Sequence, residues 1–390
     1  MTNYDYIILG AGASGLMLAY RMSQDTFFDD KSVLIIDWIQ DKGNDRTWCF
    51  WEEGDGEWDH LLTKTWSNIY FGSDHYSKTI AISPYRYKMI RSSGFYEFLW
   101  KSIHAKPNFT FLVRSVSSFK ETNNGVEVIA QERENEFGPV INKFTYKGKK
   151  LFTSLNTFED FNFQKKYPVI KQHFLGWFVN TKKDAFDDSA ATFMDFSVPQ
   201  KGSTRFMYVL PMDKRTALFE YTLFSEKLLK RSDYEDAISR YLENKGVYDF
   251  EIIENEIGSI PMTAFKFHEL NSEHILNIGT AGGWTKASTG YTFKSTTRKT
   301  KELVDFLKKE NDLSKFHKKS KFWFYDLIFL DVLANHNDEG AALFSSMFKK
   351  AKIKTIFRFL DEESSLLEDF KIIRSVPPKR FIQAFLKRLF

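Results

Sequence analysis

At 390 residues the chain is too long for one small core, and two packed domains are the expectation. Its 55 Lys and Arg against 51 Asp and Glu leave a net charge of +4, too balanced for a general nucleic-acid binder. A single cysteine, Cys49, excludes an intramolecular disulfide and a multi-cysteine metal site, so a reducing compartment and no metal ion are expected.

The chain opens on an apolar run, Tyr6 to Leu9, that reads as a buried parallel strand. It feeds Gly10-Ala11-Gly12-Ala13-Ser14-Gly15 and then a helix carrying Leu16, Met17 and Ala19. In such a GxGxxG turn, Gly10 permits the tight bend and Gly12 the approach of a pyrophosphate. Gly15 lets helix and strand pack closely, with free N–H groups at Ala13 and beyond facing the phosphates. A second strand, Ser32 to Ile36, ends in Asp37, at the distance expected for an acid that binds ribose hydroxyls. The N-terminus carries no basic leader, and nowhere do about 18 uncharged apolar residues run together. A cytoplasmic protein with at most peripheral membrane contact is expected.

Asp45-Arg46-Thr47-Trp48-Cys49-Phe50-Trp51-Glu52 follows, too irregular for a helix. It reads either as a loop that brings Arg46 over the nucleotide or as a hydrophobic plug. Trp66 to Ile82 alternates as a pair of strands would, and Tyr87 to Arg91 leads into a helix from Gly94 to Ile103. Arg91, at that entrance, is either a phosphate partner or a solvated cation. Strands are expected at Phe109 to Leu112 and Gly125 to Gln131, joined through Asn123-Asn124-Gly125, and at Tyr146 to Phe152.

From Tyr167 to Phe224 the pattern is β-rich and ends in a hairpin, Thr204–Leu210 with Thr216–Phe224; Ser225 to Lys245 is amphipathic helix. Gly258 to Thr263 is read as the return to the nucleotide domain. A short strand, His274 to Ile278, then meets Gly279-Thr280-Ala281-Gly282-Gly283, and a helix opens near Phe293. A second glycine cluster aimed at the same ligand suits FAD, which lies extended across the sheet, better than a nicotinamide dinucleotide. The expected domains are 1–160 plus 255–310 for FAD, 161–254 as a β-rich cap, and 311–390 as a helical region. The fold class is thus α/β: a Rossmann-like FAD-binding domain, an inserted mixed β-sheet substrate domain and C-terminal helices.

The last 42 residues hold eleven Lys and Arg against five Asp and Glu. In the final helix Phe381, Phe385, Leu386 and Leu389 lie beside Lys379, Arg380, Lys387 and Arg388, which fits either a membrane interface or docking on the body. The 40 Phe and nine Trp fit either an aromatic-rich core or a large apolar cavity or surface. One residue stands out. In Thr216–Phe224, Glu220 shares a face with Leu218 and Thr222, in the middle of an apolar strand. Such a carboxyl is either an edge group reaching solvent or, in a dry pocket, a neutral general acid.

The stretches YDYIILGAGASGLMLAY, DRTWCFWE, YKMIRSSGFYEFL, VLPMDKRTALFEYTLFS, IPMT and GTAGGWTKASTGYTF, with FYDLIFLDVL, FRFLDEESSLLEDF and SVPPKRF, run through essentially the whole chain. Together they resemble the flavin-dependent lycopene cyclases of the bacterial β-cyclase type. One departure is Phe152-Thr153-Ser154, where Phe-Asp-Ser is the family's step. The resemblance implies a non-redox cyclisation of the ψ-ends of lycopene to the β-rings of β-carotene through γ-carotene, with reduced FAD as cofactor and NAD(P)H as its reductant. It puts Glu220 at the essential acid. FAD would be held by Gly10, Gly12, Ala13, Gly15, Asp37, Arg46, Arg91, Gly279, Thr280, Gly282 and Gly283. The substrate would lie along Trp177, Phe219, Thr222, Thr289, Gly290 and Tyr291, with Trp177 and Tyr291 offering aromatic faces to a cation. A substrate drawn from the membrane implies a peripheral location on the inner face of the cell membrane, through the basic tail. The rival readings are a prenyl reductase or monooxygenase of similar fold, which would consume nicotinamide cofactor, and a non-catalytic carotenoid-binding flavoprotein.

Overall fold

The computed structural model describes residues 3–134, 138–155 and 164–389. Two large sheets and one small one carry the chain. In the first, the strands Phe109–Val113, Val33–Asp37, Asn3–Leu9 and Val140–Thr153 run parallel, and Ile275–Asn277 adds a short parallel strand beside Leu151 to Thr153. Gly125–Arg133 and Ser115–Thr122 extend it antiparallel. The central strands are buried on both faces and therefore read as unbroken apolar runs. One face is covered by the helices Ala13–Ser23, Ser92–His104 and Phe293–Leu307. In the second of these, Phe95, Leu99 and Ile103 are buried one turn apart, with Tyr96 and Trp100 beside them.

The second sheet runs, in spatial order, Phe250–Thr263, Val169–Thr181, Thr216–Ser225, Thr204–Pro211, Ala191–Asp195, Asn68–Gly72 and Lys78–Ala81. Its reverse face packs on helix Arg231–Asn244 through Leu175, Trp177, Phe219 and Tyr221. Its front face, with Phe178, Phe206, Leu218 and Phe224, packs on the small sheet and the C-terminal helices. The small sheet places Tyr85–Arg91 between Thr47–Glu53 and Lys64–Trp66. The helices Lys321–Asn335, Gly340–Lys350, Ile353–Leu360, Leu366–Ser375 and Pro378–Leu389 close the molecule. Ser320 caps the first of them by accepting from Phe322 N–H, and Ser365 with Glu368 forms a capping box on the fourth.

Several expectations need correction. Residues 255–263 do not return to the nucleotide sheet; they belong to Phe250–Thr263, which pairs along Val169–Thr181 in the second sheet. Residues 47–91 likewise lie in the small and second sheets rather than in the first. Asp45 to Glu52 is not a loop: from Thr47 it is a strand whose irregular hydrophobicity reflects burial on both sides. The Asn123-Asn124 turn joins Ser115–Thr122, absent from the sequence reading, to Gly125–Arg133. The helix expected from Ser225 begins only at Arg231. The domain boundary expected at 160/161 falls outside the described residues.

Candidate active site and cofactor cradle

Gly10 adopts φ +95°, and a Cβ on Gly15 would stand 2.0 Å from the Gly10 carbonyl oxygen, so helix and strand pack as closely as backbone allows. Gly12 caps the helix without any side-chain hydrogen bond, which leaves the first-turn N–H groups from Ala13 onward open to a ligand. Asp37 closes this turn: its carboxylate accepts from Ala11 N–H at 2.5 Å and pairs with Lys42 at 3.1 Å. The second glycine cluster meets the first. Gly279, at φ +60°, lies against Ser14, and Gly282 against the Asn277 carbonyl. Thr280 donates or accepts at 3.0 Å with Thr285. At the expected Asp position, Thr153 is buried and its hydroxyl accepts from Leu155 N–H.

From this cradle a cavity of about 340 Å³ runs to the front face of the second sheet. Thr280, Thr289, Gly290 and Tyr291 form one wall, Asp45 and Arg46 an edge, and Glu220 and Glu256 the floor. Phe174, Phe193, Phe206 and Phe348 make the rest of it aromatic. A second cavity of about 720 Å³ adjoins it, sharing Cys49, Tyr291 and Phe293.

Four strands deliver the polar floor in one row. Tyr208 stands opposite Glu220, Glu220 opposite Gly176, and Gly176 opposite Glu256. Residues directly opposite in a sheet share a face. Gly176 has no side chain, so the two carboxyls converge over it; a Cβ there would lie 3.2 Å from Glu256 Cγ and 3.6 Å from Glu220 Cβ. Both carboxyls are buried. Thr222 donates its hydroxyl to Glu220 at 2.6 Å, and Thr47 donates to Glu256 at 2.7 Å.

Burial, and then the Glu256 carboxylate, hold Glu220 well above the ordinary carboxylate range, against the pull of Thr222. Burial also leaves Glu256 above the ordinary carboxylate range, though Thr47, the Arg91 guanidinium and the hydrogen bond from Glu220 oppose it. Of the two coupled carboxyls, Glu220 therefore holds its proton the more strongly. Around it the groups are neutral: burial pushes the Cys49 thiol up to about 12, and raises the hydroxyls of Tyr87, Tyr208 and Tyr291 above their usual value. Tyr87 bridges Tyr208 at 2.5 Å and Tyr291 at 3.3 Å.

Three expected site residues lie elsewhere. Trp177 and Phe219 occupy the reverse face, Trp177 near Phe250 and Phe219 between Phe186 and Tyr241, because side chains on a strand alternate. Trp177 thus offers no face to the cavity. Arg91 does not point to a phosphate: its guanidinium lies 4.0 Å over the Phe178 ring, pairs with Glu254 and reaches Thr47. Arg46, by contrast, does line the cavity, donating to the Asp45 carbonyl at 2.6 Å. Glu256, Tyr208 and Gly176 were not singled out from sequence. A glycine inside the apolar strand HFLGWFV is itself a sign of close approach, and it was the one available signal.

The cavity also carries buried polar atoms without a protein partner: Asp45 Oδ1, Gln172 Oε1 and Thr289 Oγ1. Buried polar groups are nearly always satisfied, so these atoms would suit a polar ligand or bound water. Bare N–H groups at the glycine turn and orphaned polar atoms in the cavity fit a long dinucleotide whose phosphates sit at one end and whose ring sits at the other.

The sequence profile described as lycopene cyclase protein matches residues 5–386. The chain belongs to the lycopene cyclase family. No curated protein sequence matches it significantly. In fold it is similar to a geranylgeranyl bacteriochlorophyll reductase-like protein of Thermoplasma acidophilum, at 12% identity and TM-score 0.61 over 100% of both chains. It is also similar to a flavin-dependent brominase, at 13% identity and TM-score 0.61 over 99% of both. A flavoprotein/dehydrogenase of Cytophaga hutchinsonii aligns at 12% identity and TM-score 0.60, over 100% of this chain and 99% of that one. This member of the family thus has the Rossmann-like α/β architecture of flavoproteins, in an enzyme family.

Proposed function

We propose that this cyclase converts the ψ-ends of lycopene to β-rings, giving β-carotene through γ-carotene, with FAD bound along the glycine cradle. The observation that carries this reading is Glu220, a buried carboxyl kept protonated at the floor of an aromatic cavity. Protonating an unactivated alkene needs an acid held away from water, since water would trap the cation as an alcohol. Glu220 hands its proton to C2 of the ψ-end, leaving a tertiary cation at C1. Attack by the C5=C6 alkene closes the ring, and loss of the C6 proton completes it. The rings of Phe174, Phe193, Phe206 and Tyr291 exclude water and present π-density to the cation, at about 0.5–2 kcal/mol per well-placed ring.

Gly10, Gly12, Gly15 and the N–H groups from Ala13 would hold the pyrophosphate, Asp37 the ribose, and Gly279 to Gly283 with Thr280 the ribityl end. Reduced flavin, kept so by NAD(P)H, would supply negative charge close to the developing cation, worth several kcal/mol in a dry site.

The substrate is a membrane hydrocarbon, and we place the enzyme peripherally on the inner face of the membrane. Among the described residues no helix is long and apolar enough to cross a bilayer. Helices Leu366–Ser375 and Pro378–Leu389 leave Leu366, Leu367, Phe370, Ile382, Phe385 and Leu389 exposed. Not every cation expected there is free for head groups. Arg380 pairs with Glu339 and Arg388 with Asp331, which anchors the last helix to the body and turns its apolar residues outward.

Expression in a lycopene-accumulating host tests the reading: β-carotene should replace lycopene in the extract. Unchanged lycopene, with folded flavin-loaded protein present, would refute it. Net consumption of nicotinamide cofactor per product would favour a reductase or monooxygenase instead.

A further inference from the structure

The cyclisation releases a proton from C6, and the acid that began it is by then an anion that must be reloaded. Two carboxyls meet over Gly176 on the floor of the same cavity, set side by side by the strand register. We infer that Glu256 is a second catalytic carboxylate, the base that accepts the C6 proton and returns it to Glu220 across Gly176. This rests on the cyclase reading above.

The surroundings of Glu256 suit a base. Thr47 donates to it, and the Arg91 guanidinium, held over Phe178 by Glu254, lends positive charge. Both favour the carboxylate. Glu220 has a hydroxyl donor but, among the described residues, no cation beside it. The other groups facing the pair are Cys49 and Tyr87 from the small sheet, Tyr208 from the neighbouring strand and Tyr291 from the loop; burial keeps all four neutral near pH 7. Asp45 and Arg46 stand at the cavity edge. Asp45 lies outside the strands that carry Glu220 and Glu256, and Cys49 and the three tyrosines are neutral.

The step balances. The O–H bond of Glu220 breaks as the C2–H bond forms, and the C1–C6 bond closes. The C6–H bond then breaks, its electron pair becoming the C5=C6 double bond while its proton forms an O–H bond on Glu256. Transfer of that proton to the Glu220 carboxylate, across the hydrogen bond they share, restores the starting state with no net gain or loss. The position of the base also sets the product: proton loss from C6 gives the β-ring, whereas loss from C4 would give the ε-ring.

The test is Glu256→Gln in purified flavin-loaded enzyme, assayed on lycopene in vesicles across pH 5–9, with Thr47→Val as a milder companion. Folding is checked by the flavin spectrum and the melting temperature. E256Q is expected to lower β-ring formation about 100-fold, to abolish the acidic limb of the pH profile, and to divert part of the remaining product to isomeric rings. Removing the Glu256 charge also lowers the pKa of Glu220, so the basic limb moves to lower pH. T47V, which removes a donor to the anion, moves the acidic limb to higher pH. Folded E256Q and T47V that make β-carotene at the native rate with an unshifted profile would overturn the inference and leave the cyclase reading intact. Inactive wild-type enzyme would instead refute the reading itself. If E256Q does not fold, T47V alone decides, by whether its acidic limb moves.

Discussion

Gly279 and Ser14 touch across 265 residues of chain: a Cβ on Gly279 would lie 2.5 Å from Ser14 Oγ, on a backbone already at φ +60°. The two glycine clusters therefore form one surface, the end of the first strand and helix facing the end of Ile275–Asn277. Gly279→Val would force both the left-handed backbone and the contact, at a cost of order 1–3 kcal/mol. It is expected to be purified with less than about a tenth of the wild-type flavin, measured by absorbance, while its far-UV circular dichroism is retained.

Glu220→Gln keeps shape and removes the transferable proton. Cyclisation is expected to fall at least about 1000-fold, scored as β-carotene formed per bound flavin. Conversion at an undiminished rate would remove Glu220 from the chemistry.

The same substitution changes stability in a pH-dependent way. Glu220 is raised when folded, so the unfolded chain sheds this proton first and binds fewer protons at intermediate pH. Stability then falls as pH rises above the ordinary carboxylate range and continues to fall up to the folded pKa. E220Q should match wild type near pH 4 and exceed it at pH 8, by roughly 1–4 kcal/mol in denaturant titrations.

Gly176→Ala inserts a methyl group between the two carboxyls. The nearest atom to it, Leu218 Cδ1 at 2.8 Å, is the end of a flexible side chain and can yield, whereas Glu256 Cγ at 3.2 Å must shift by tenths of an ångström. A stability loss of about 1–2 kcal/mol is expected. Cyclisation should fall more than that loss suggests, by about 10–100-fold, because the geometry of proton transfer changes. Thermal melts and product analysis on the same preparation check both.

Replacing Leu366, Leu367 and Phe370 by Ser removes exposed apolar surface without touching the cavity. Flotation with anionic vesicles should weaken at least about tenfold. Turnover of detergent-solubilised lycopene should be unchanged.

The order of strands, glycines and helices made the nucleotide half legible, because GxGxxG, Asp37 and the Gly279 cluster act through local backbone geometry that neighbouring residues dictate. Glu220 stood out for a similar reason: an acid in an apolar strand conflicts with its immediate surroundings. Sequence does not say which face of the two neighbouring strands meets the cavity, and alternation turns Trp177 and Phe219 to the reverse side. Nor could it say that Phe250–Thr263 pairs with Val169–Thr181, about 80 residues upstream. That non-local register brings Glu256 opposite Gly176, sets two buried carboxyls against each other, and supplies Glu254 as the partner that draws Arg91 away from a phosphate. Local pattern therefore determined the cofactor fold and the acid. The partner of that acid was decided by strand pairing, since only pairing sets the distance and dielectric between charges far apart in the chain.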